Sequence, residues 1–322
     1  MIRILSACFE GIFLVIIISM TSDAFISEIQ SAITDEIFFA LGLKRQGFLR
    51  RNLGWLFASP TKIFARFMAA VDEAVGSEGP PAGCQTMLDK LGVEINAKWR
   101  EIIPLEGPVI ILSNHPGAYD SMAIGSLVPR VDLKAIVSKT RLYEVLPHIH
   151  PHFFPVGGDG PENMLAIRGA VEHLRQGGIL LQFGSGLIEP DPATHIVDDT
   201  VFDKWSPSLE ILFRKVPETR VVPTIASGVL LARFLRHPLV RLRKDGLDKR
   251  RLAEFLQIMR QLVNPKTVHA RPQISFGKPF TLAEVLKESD GRRVMPGVIN
   301  RMKAHLVDHR AWIGENNLDE TG

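Results

Sequence analysis

A chain of 322 residues, 46% hydrophobic and 23% charged, holds enough apolar material for one large domain with an appendage or for two small domains. Its net charge of +3 is too small to make the whole molecule a polyelectrolyte, so charges act by position, and no nucleic-acid motif accompanies the basic clusters. Two distant cysteines, Cys8 and Cys84, form neither a disulfide framework nor a metal or redox spacing, which fits a reducing compartment or indifference to one.

The chain opens with the apolar run Gly11–Ile18, too short to span a bilayer core, which needs about 20 apolar residues. Extending it back to Ile2 supplies the length but buries Glu10. A membrane-dipping anchor is the first reading, an uncleaved span the second, and a signal cleaved near Ser22-Asp23-Ala24 the third. Between Glu36 and Asp72 there is no acidic residue, while Lys44, Arg45, Arg50, Arg51, Lys62 and Arg66 alternate with Phe38, Phe48, Trp55, Phe57, Phe64 and Phe67. Aromatics on one side and charge of one sign on the other predict interfacial helices on an anionic membrane, broken at Gly54 and at Ser59-Pro60. The plainer reading is an amphipathic helix packed on the main body. Ser77–Gly83 reads as a linker. The expected organisation is a membrane-associating segment over 1–76, a linker over 77–84 and a catalytic domain over 85–322.

Past the linker, a helix near 85–91 precedes a short strand candidate at 93–95. Strands are then predicted at 108–113, 132–137, 153–156, 178–183, 220–226 and 272–276. Helices are predicted at 119–127, 140–146, 161–176, 207–216, 230–244, 248–263, 281–288 and 295–312. Short apolar strands between helices predict an α/β fold, a mostly parallel mixed sheet covered by helices on both faces.

The chemistry gathers at Asn114-His115-Pro116-Gly117-Ala118-Tyr119-Asp120, where the first long strand hands over to a helix. Open α/β sheets place ligands at such strand ends. In an unbroken strand or helix the side chains of His115 and Asp120 diverge. A turn at Pro116-Gly117 folds the carboxylate back onto the imidazole. A His oriented by an Asp is a general base. The plain alternative is a turn His beside a helix-capping Asp. Further glycine loops follow strands at Lys139, at Gly157-Gly158, at Gly184-Ser185-Gly186 and after Pro223, on the same rim as His115.

Taken in order, these blocks resemble the glycerolipid (lysophosphatidic acid) acyltransferase family over residues 90–290. Asn114–Asp120 matches that family's N-H-x4-D block. Lys139 with Leu142 matches its lysine region, and Phe183–Gly186 falls where it has F-P-E-G. Val222–Ile225 falls at its V-P-V-x block, and Ser275–Phe280 at its closing strand. The resemblance implies a membrane-associated O-acyltransferase, on the cytoplasmic face, that moves a fatty acyl group to a (lyso)phospholipid or related glycerolipid hydroxyl. The donor is acyl-CoA or acyl carrier protein, a co-substrate, and no metal or other cofactor is implied. His115 and Asp120 would be catalytic. Asn114, Gly117, Lys139, Gly184, Ser185, Gly186 and Pro223 would bind substrate. Two of the family's acceptor-binding side chains are replaced. Ser185 stands at the Glu position, with Glu189 and Asp191 a few residues late, and Gly157 stands where the family has an Arg after Phe154.

Competing readings remain at this stage. Ser185 as nucleophile would make a serine lipid hydrolase, although the flanking pattern misses both glycines of G-x-S-x-G. Loss of the acceptor side chains would suit a catalytically silent lipid-binding relative. His148, His150 and His152 would share a face if extended, which suits a metal, or else form a rim loop. Arg233–Arg251 forms a second basic tract, able to meet headgroups or carrier phosphates or merely to be solvated.

Overall fold

The computed structural model describes residues 23–38, 48–157, 160–193, 199–288 and 293–319, with only the backbone at 48–56, 118, 199–200 and 315–319. The expected anchor, span or signal within 1–20, and Lys44 and Arg45, lie outside the described residues. Among the described residues no helix is long and apolar enough to cross a membrane.

Seven strands form one sheet in the order β1-β7-β6-β2-β5-β3-β4. They are β1 (Asn96–Lys98), β2 (Val109–Ser113), β3 (Leu133–Ser138), β4 (Phe153–Val156), β5 (Ile179–Phe183), β6 (Arg220–Ser227) and β7 (Gln273–Phe276). All neighbours run parallel except β6 and β7. The central strand β2 is buried along its whole length, as its unbroken apolar run dictates. One face packs Ile110, Leu112, Val221 and Ile225 against α6 (Pro161–Arg175), α7 (Ser208–Lys215) and α12 (Val294–Asp319). The other packs Val109, Ile111, Val222 and Ala226 under α4 (Ala118–Leu127).

Three expectations are corrected. The first strand lies at 96–98 rather than 93–95, which pairs it with β7. Residues 77–84 are not a linker. Helix α2 (Phe48–Glu78) ends there, Gly79 makes the turn at φ 91°, and α3 (Pro80–Leu91) begins at once with its prolines in the first turn. The Pro-Gly-Ser composition therefore marks a tight corner between packed helices. The helix expected over 230–244 is two short pieces, α8 (Ala232–Leu235) and α9 (Pro238–Arg241), because Pro238 starts a new first turn.

Helix α2 runs through Pro60 instead of breaking. Proline removes one backbone donor, and side chains resupply the neighbouring carbonyls. Thr61 Oγ1 donates to Phe57 and Ala58, and Gln30 Nε2, from a helix over 23–38 (α1), also donates to Ala58 at 2.9 Å. The aromatic stripe expected to face lipid is turned inward from residue 57 onward. Phe57, Ile63, Phe64 and Phe67 pack with Met68, Val71, Leu146 and Val229, and Phe38 is buried against Phe57 with ring centroids 6.0 Å apart. Lys62 and Arg66 point to solvent. For these residues the plainer reading holds: the apolar face of an amphipathic helix closes the protein's own core.

Candidate functional site

Register brings the site together. Ser113, the last residue of β2, lies between Phe183 of β5 and Thr224 of β6, so the segments leaving all three strands share one rim. The Pro116-Gly117 turn then reverses the chain into α4. The Asp120 carboxylate meets His115 Nδ1 at 2.8 Å through Oδ2, and the same oxygen accepts the Gly117 N–H at 3.0 Å. Asp120 is fully buried, and its Oδ1 has no hydrogen-bond partner among the described residues. The capping role and the orienting role are thus filled by one side chain.

Three further contacts immobilise the histidine. Phe183 stacks on the imidazole with centroids 4.4 Å apart and planes 25° from parallel. Glu189 Oε2 accepts the His115 main-chain N–H at 3.0 Å, while the Glu189 N–H donates to the His115 carbonyl at 2.7 Å. Trp205 Nε1 donates to the other Glu189 oxygen at 2.7 Å. Burial raises the Glu189 carboxyl above its usual range, and the hydrogen bonds from His115 and Trp205 partly offset this. Glu189 restores a carboxylate to this loop, but it holds the backbone beneath the histidine.

Burial alone lowers the His115 pKa. The Asp120 charge, its hydrogen bond and the Glu254 and Glu189 carboxylates more than reverse this, leaving it pushed up to about 9. Nε2 has no hydrogen-bond partner among the described residues, and the side chain is one-quarter exposed. The result is a basic, oriented imidazole with its reactive nitrogen open.

The other sequence-expected residues divide. Asn114 does not face the site. Its buried amide bonds both the N–H and the C=O of Ala226, clamping β2 to β6. Gly117 and Gly184 are close, but their N–H groups are spent on Asp120 Oδ2 and the Ser113 carbonyl, so neither can meet a developing oxyanion. The N–H groups of Ser185 and Gly186 have no acceptor among the described residues. Ser185 Oγ donates to the Leu187 carbonyl at 2.9 Å and accepts the Leu187 N–H, and it makes no bond to His115. That local turn removes the arrangement a serine nucleophile needs. Lys139 sits two strands from β2 on the same rim, exposed and paired with Glu162 at 2.9 Å. Pro223 is displaced from the site. It lies level with Leu112, and its ring joins Gly277 and His305 in lining a separate cavity of about 300 Å³.

The three-histidine segment is not a metal cluster. His148 bonds Asp72 at 2.8 Å, His150–His152 is a 3₁₀ turn, and His152 bonds the Leu133 carbonyl, so the rings diverge. Among the described residues no group of three potential ligands converges.

Sequence reasoning did not reach Glu254 and Trp205, and it named Asp191 only as a late carboxylate and Arg250 only as part of the second basic tract. Glu254 comes from α10 (Gly246–Val263) and adds negative charge near His115. Arg250, one turn earlier, donates from Nε to the Ile188 carbonyl at 3.2 Å and is attracted by Glu189. Its Nη groups have no acceptor among the described residues. Trp205 needs the space over Gly184, where an added Cβ would stand 1.9 Å from the indole. Asp191 binds the N–H groups of Gly228, Val229 and Leu230, fixing the exit of β6. None sits at a diagnostic spacing from His115; the tertiary fold alone brings them in.

No family model matches the chain, and no curated protein matches it. Among solved structures, the chain is similar to the 1-acyl-sn-glycerophosphate (LPA) acyltransferase PlsC from Thermotoga maritima, at 14% identity and a TM-score of 0.43, covering 80% of this chain and 93% of that one.

Proposed function

We propose that this chain is an O-acyltransferase that moves a fatty acyl group from a thioester donor, acyl-CoA or acyl carrier protein, to the hydroxyl of a glycerolipid acceptor at a membrane surface. The observation that carries the reading is a basic imidazole, fixed by Asp120, with Nε2 open and no protein nucleophile bonded to it. A base so placed acts on a substrate hydroxyl directly. The ordered resemblance of the sequence blocks to glycerolipid acyltransferases supports the same class.

In this mechanism the acceptor hydroxyl passes its proton to His115 Nε2 as its oxygen attacks the thioester carbonyl. The Asp120 carboxylate holds the tautomer and stabilises the imidazolium. The oxyanion is met by the Ser185 and Gly186 N–H groups, the unspent donors of the strand-end loop. Collapse expels the thiolate, which takes the proton from the imidazolium. Arg250 supplies a cation to an anionic group of acceptor or donor in place of the family's missing Arg.

The test is acyl transfer by membranes carrying His115→Ala, using labelled acyl-CoA or acyl carrier protein and a panel of lysolipid and glycerol-phosphate acceptors. Loss of transfer by about 10²–10⁴-fold is expected. Undiminished transfer refutes the reading. In the same assay Arg250→Gln is expected to raise KM for an anionic acceptor more than it lowers kcat.

A further inference from the structure

We infer that the α8–α9 segment is the surface through which this protein docks on an anionic phospholipid bilayer. The inference rests on the acyltransferase reading only for its purpose, since docking itself needs no catalysis. Between Glu218 and Asp245 the chain has no acidic residue. Within that stretch Arg236, Arg241, Arg243 and Lys244 are exposed and have no ion-pair partner among the described residues. Leu239 and Leu242, set between them, are 53% and 79% exposed.

The segment is held from beneath. Val240 is buried against Leu230 and Ala253, with Phe234 and Leu235 partly covered beside it. Asp245 and Asp248 follow immediately, but the Asp245 carboxylate is turned into the α10 N-terminus, where it accepts the Leu247 and Asp248 N–H groups. Single exposed leucines need no explanation. Two exposed leucines interleaved along the chain with four unpaired cations are different. They match a lipid interface, where apolar tips reach the acyl boundary and cations stay with the headgroups. Exposed leucines among cations suit a bilayer, which offers an apolar phase beneath anionic headgroups, better than a wholly acidic protein surface.

Placement strengthens the case. The segment leaves the fold at Val229, whose side chain lies against Gly117, and returns at Arg250, which holds the Ile188 carbonyl. Both flanks belong to the His115 rim. Docking here sets that rim against the bilayer, where a lipid acceptor resides.

The experiment uses the full chain with vesicles of phosphatidylcholine, with and without phosphatidylglycerol. Each neutralised cation is expected to weaken binding about fivefold, so Arg241→Gln/Arg243→Gln/Lys244→Gln together should lose on the order of 100-fold toward phosphatidylglycerol vesicles. Leu242→Cys, in a Cys8→Ser background and carrying an environment-sensitive fluorophore, should shift to the blue on those vesicles. Cys84 is half-buried and slow to react by comparison, its thiol pushed up to about 12. The fluorophore reports this surface whatever residues 1–22 contribute. No blue shift overturns the proposal, as does unchanged binding by the triple variant. A shift produced by acyl carrier protein and not by vesicles also overturns it. Transfer to a water-soluble short-chain acceptor should survive in the triple variant. Docking without any transfer would fail the catalytic reading alone, and transfer without docking would fail this one alone.

Discussion

Neighbouring carboxylates outweigh the cost of burial at His115 and push its pKa up to about 9, which favours the protonated ring at neutral pH. A base must shed that proton before it works, so kcat/KM should climb with pH through a midpoint near 9 and level off only above it. Glu254→Gln removes one of the raising charges and should move that limb to lower pH, read from the pH profile of single-substrate transfer. The same linkage has a stability side. A raised pKa means the charged His115–Asp120 pair stabilises the fold fully below the ordinary imidazole value and loses that contribution as pH rises through about 9. Asp120→Asn keeps the turn but offers an amide to Nδ1, and should cost kcat more than KM. Ser185→Ala should leave transfer near wild type, since its hydroxyl serves its own turn and the Glu189 carboxylate and does not meet His115. At this scale the sequence was legible where chemistry is local. His115 and Asp120 are joined by a turn whose residues are visible, and Glu189 stood close enough to the glycine loop to be considered. Trp205 and Glu254 were invisible because nothing but the folded chain brings them near.

The elements around the site form a stack in which each fixes the next. Gly184 leaves room for Trp205, Trp205 holds Glu189, and Glu189 holds the backbone of His115. Gly184→Ala should therefore destabilise by about 1–3 kcal/mol through overpacking and also lower kcat, seen by thermal melting alongside transfer rates. A corresponding structural anchor lies at Asp72 in α2. Its buried carboxylate accepts the N–H groups of His148 and Ile149 and bonds the His148 ring. Asp72→Ala should cost on the order of 3 kcal/mol, because buried donors lose their acceptor, and should lower Tm without altering the pH profile. Strand positions followed from apolar runs, since burial on both faces leaves no other pattern. Helix ends did not. Proline was read as a breaker at Pro60, where Thr61 and Gln30 compensate, and Ser77–Gly83 was read as a linker where Gly79 makes a one-residue corner.

Across the whole molecule, amphipathic stretches told less about their partners than about their periodicity. The part of α2 before Asp72 and the α8–α9 segment both combine apolar residues with charge of one sign. The first turns its apolar face onto Leu146 and Val229, while the second leaves Leu239 and Leu242 in solvent. A sequence window contains no term for what covers a face, so the two could not be told apart before the fold was known. The parallel sheet, by contrast, was readable because alternation of strand and helix admits few other arrangements. Its consequence is a rim where β2, β5 and β6 deliver His115, the glycine loop and the Asp191 anchor together. That rim stands or falls on one experiment: labelled acyl transfer to a lipid acceptor by wild type and His115→Ala, both shown to be folded by thermal melting. Transfer by the wild type and a fall of at least about 10²-fold in the variant is the expected result. Equal transfer by both proteins would contradict the assignment of His115 as the base.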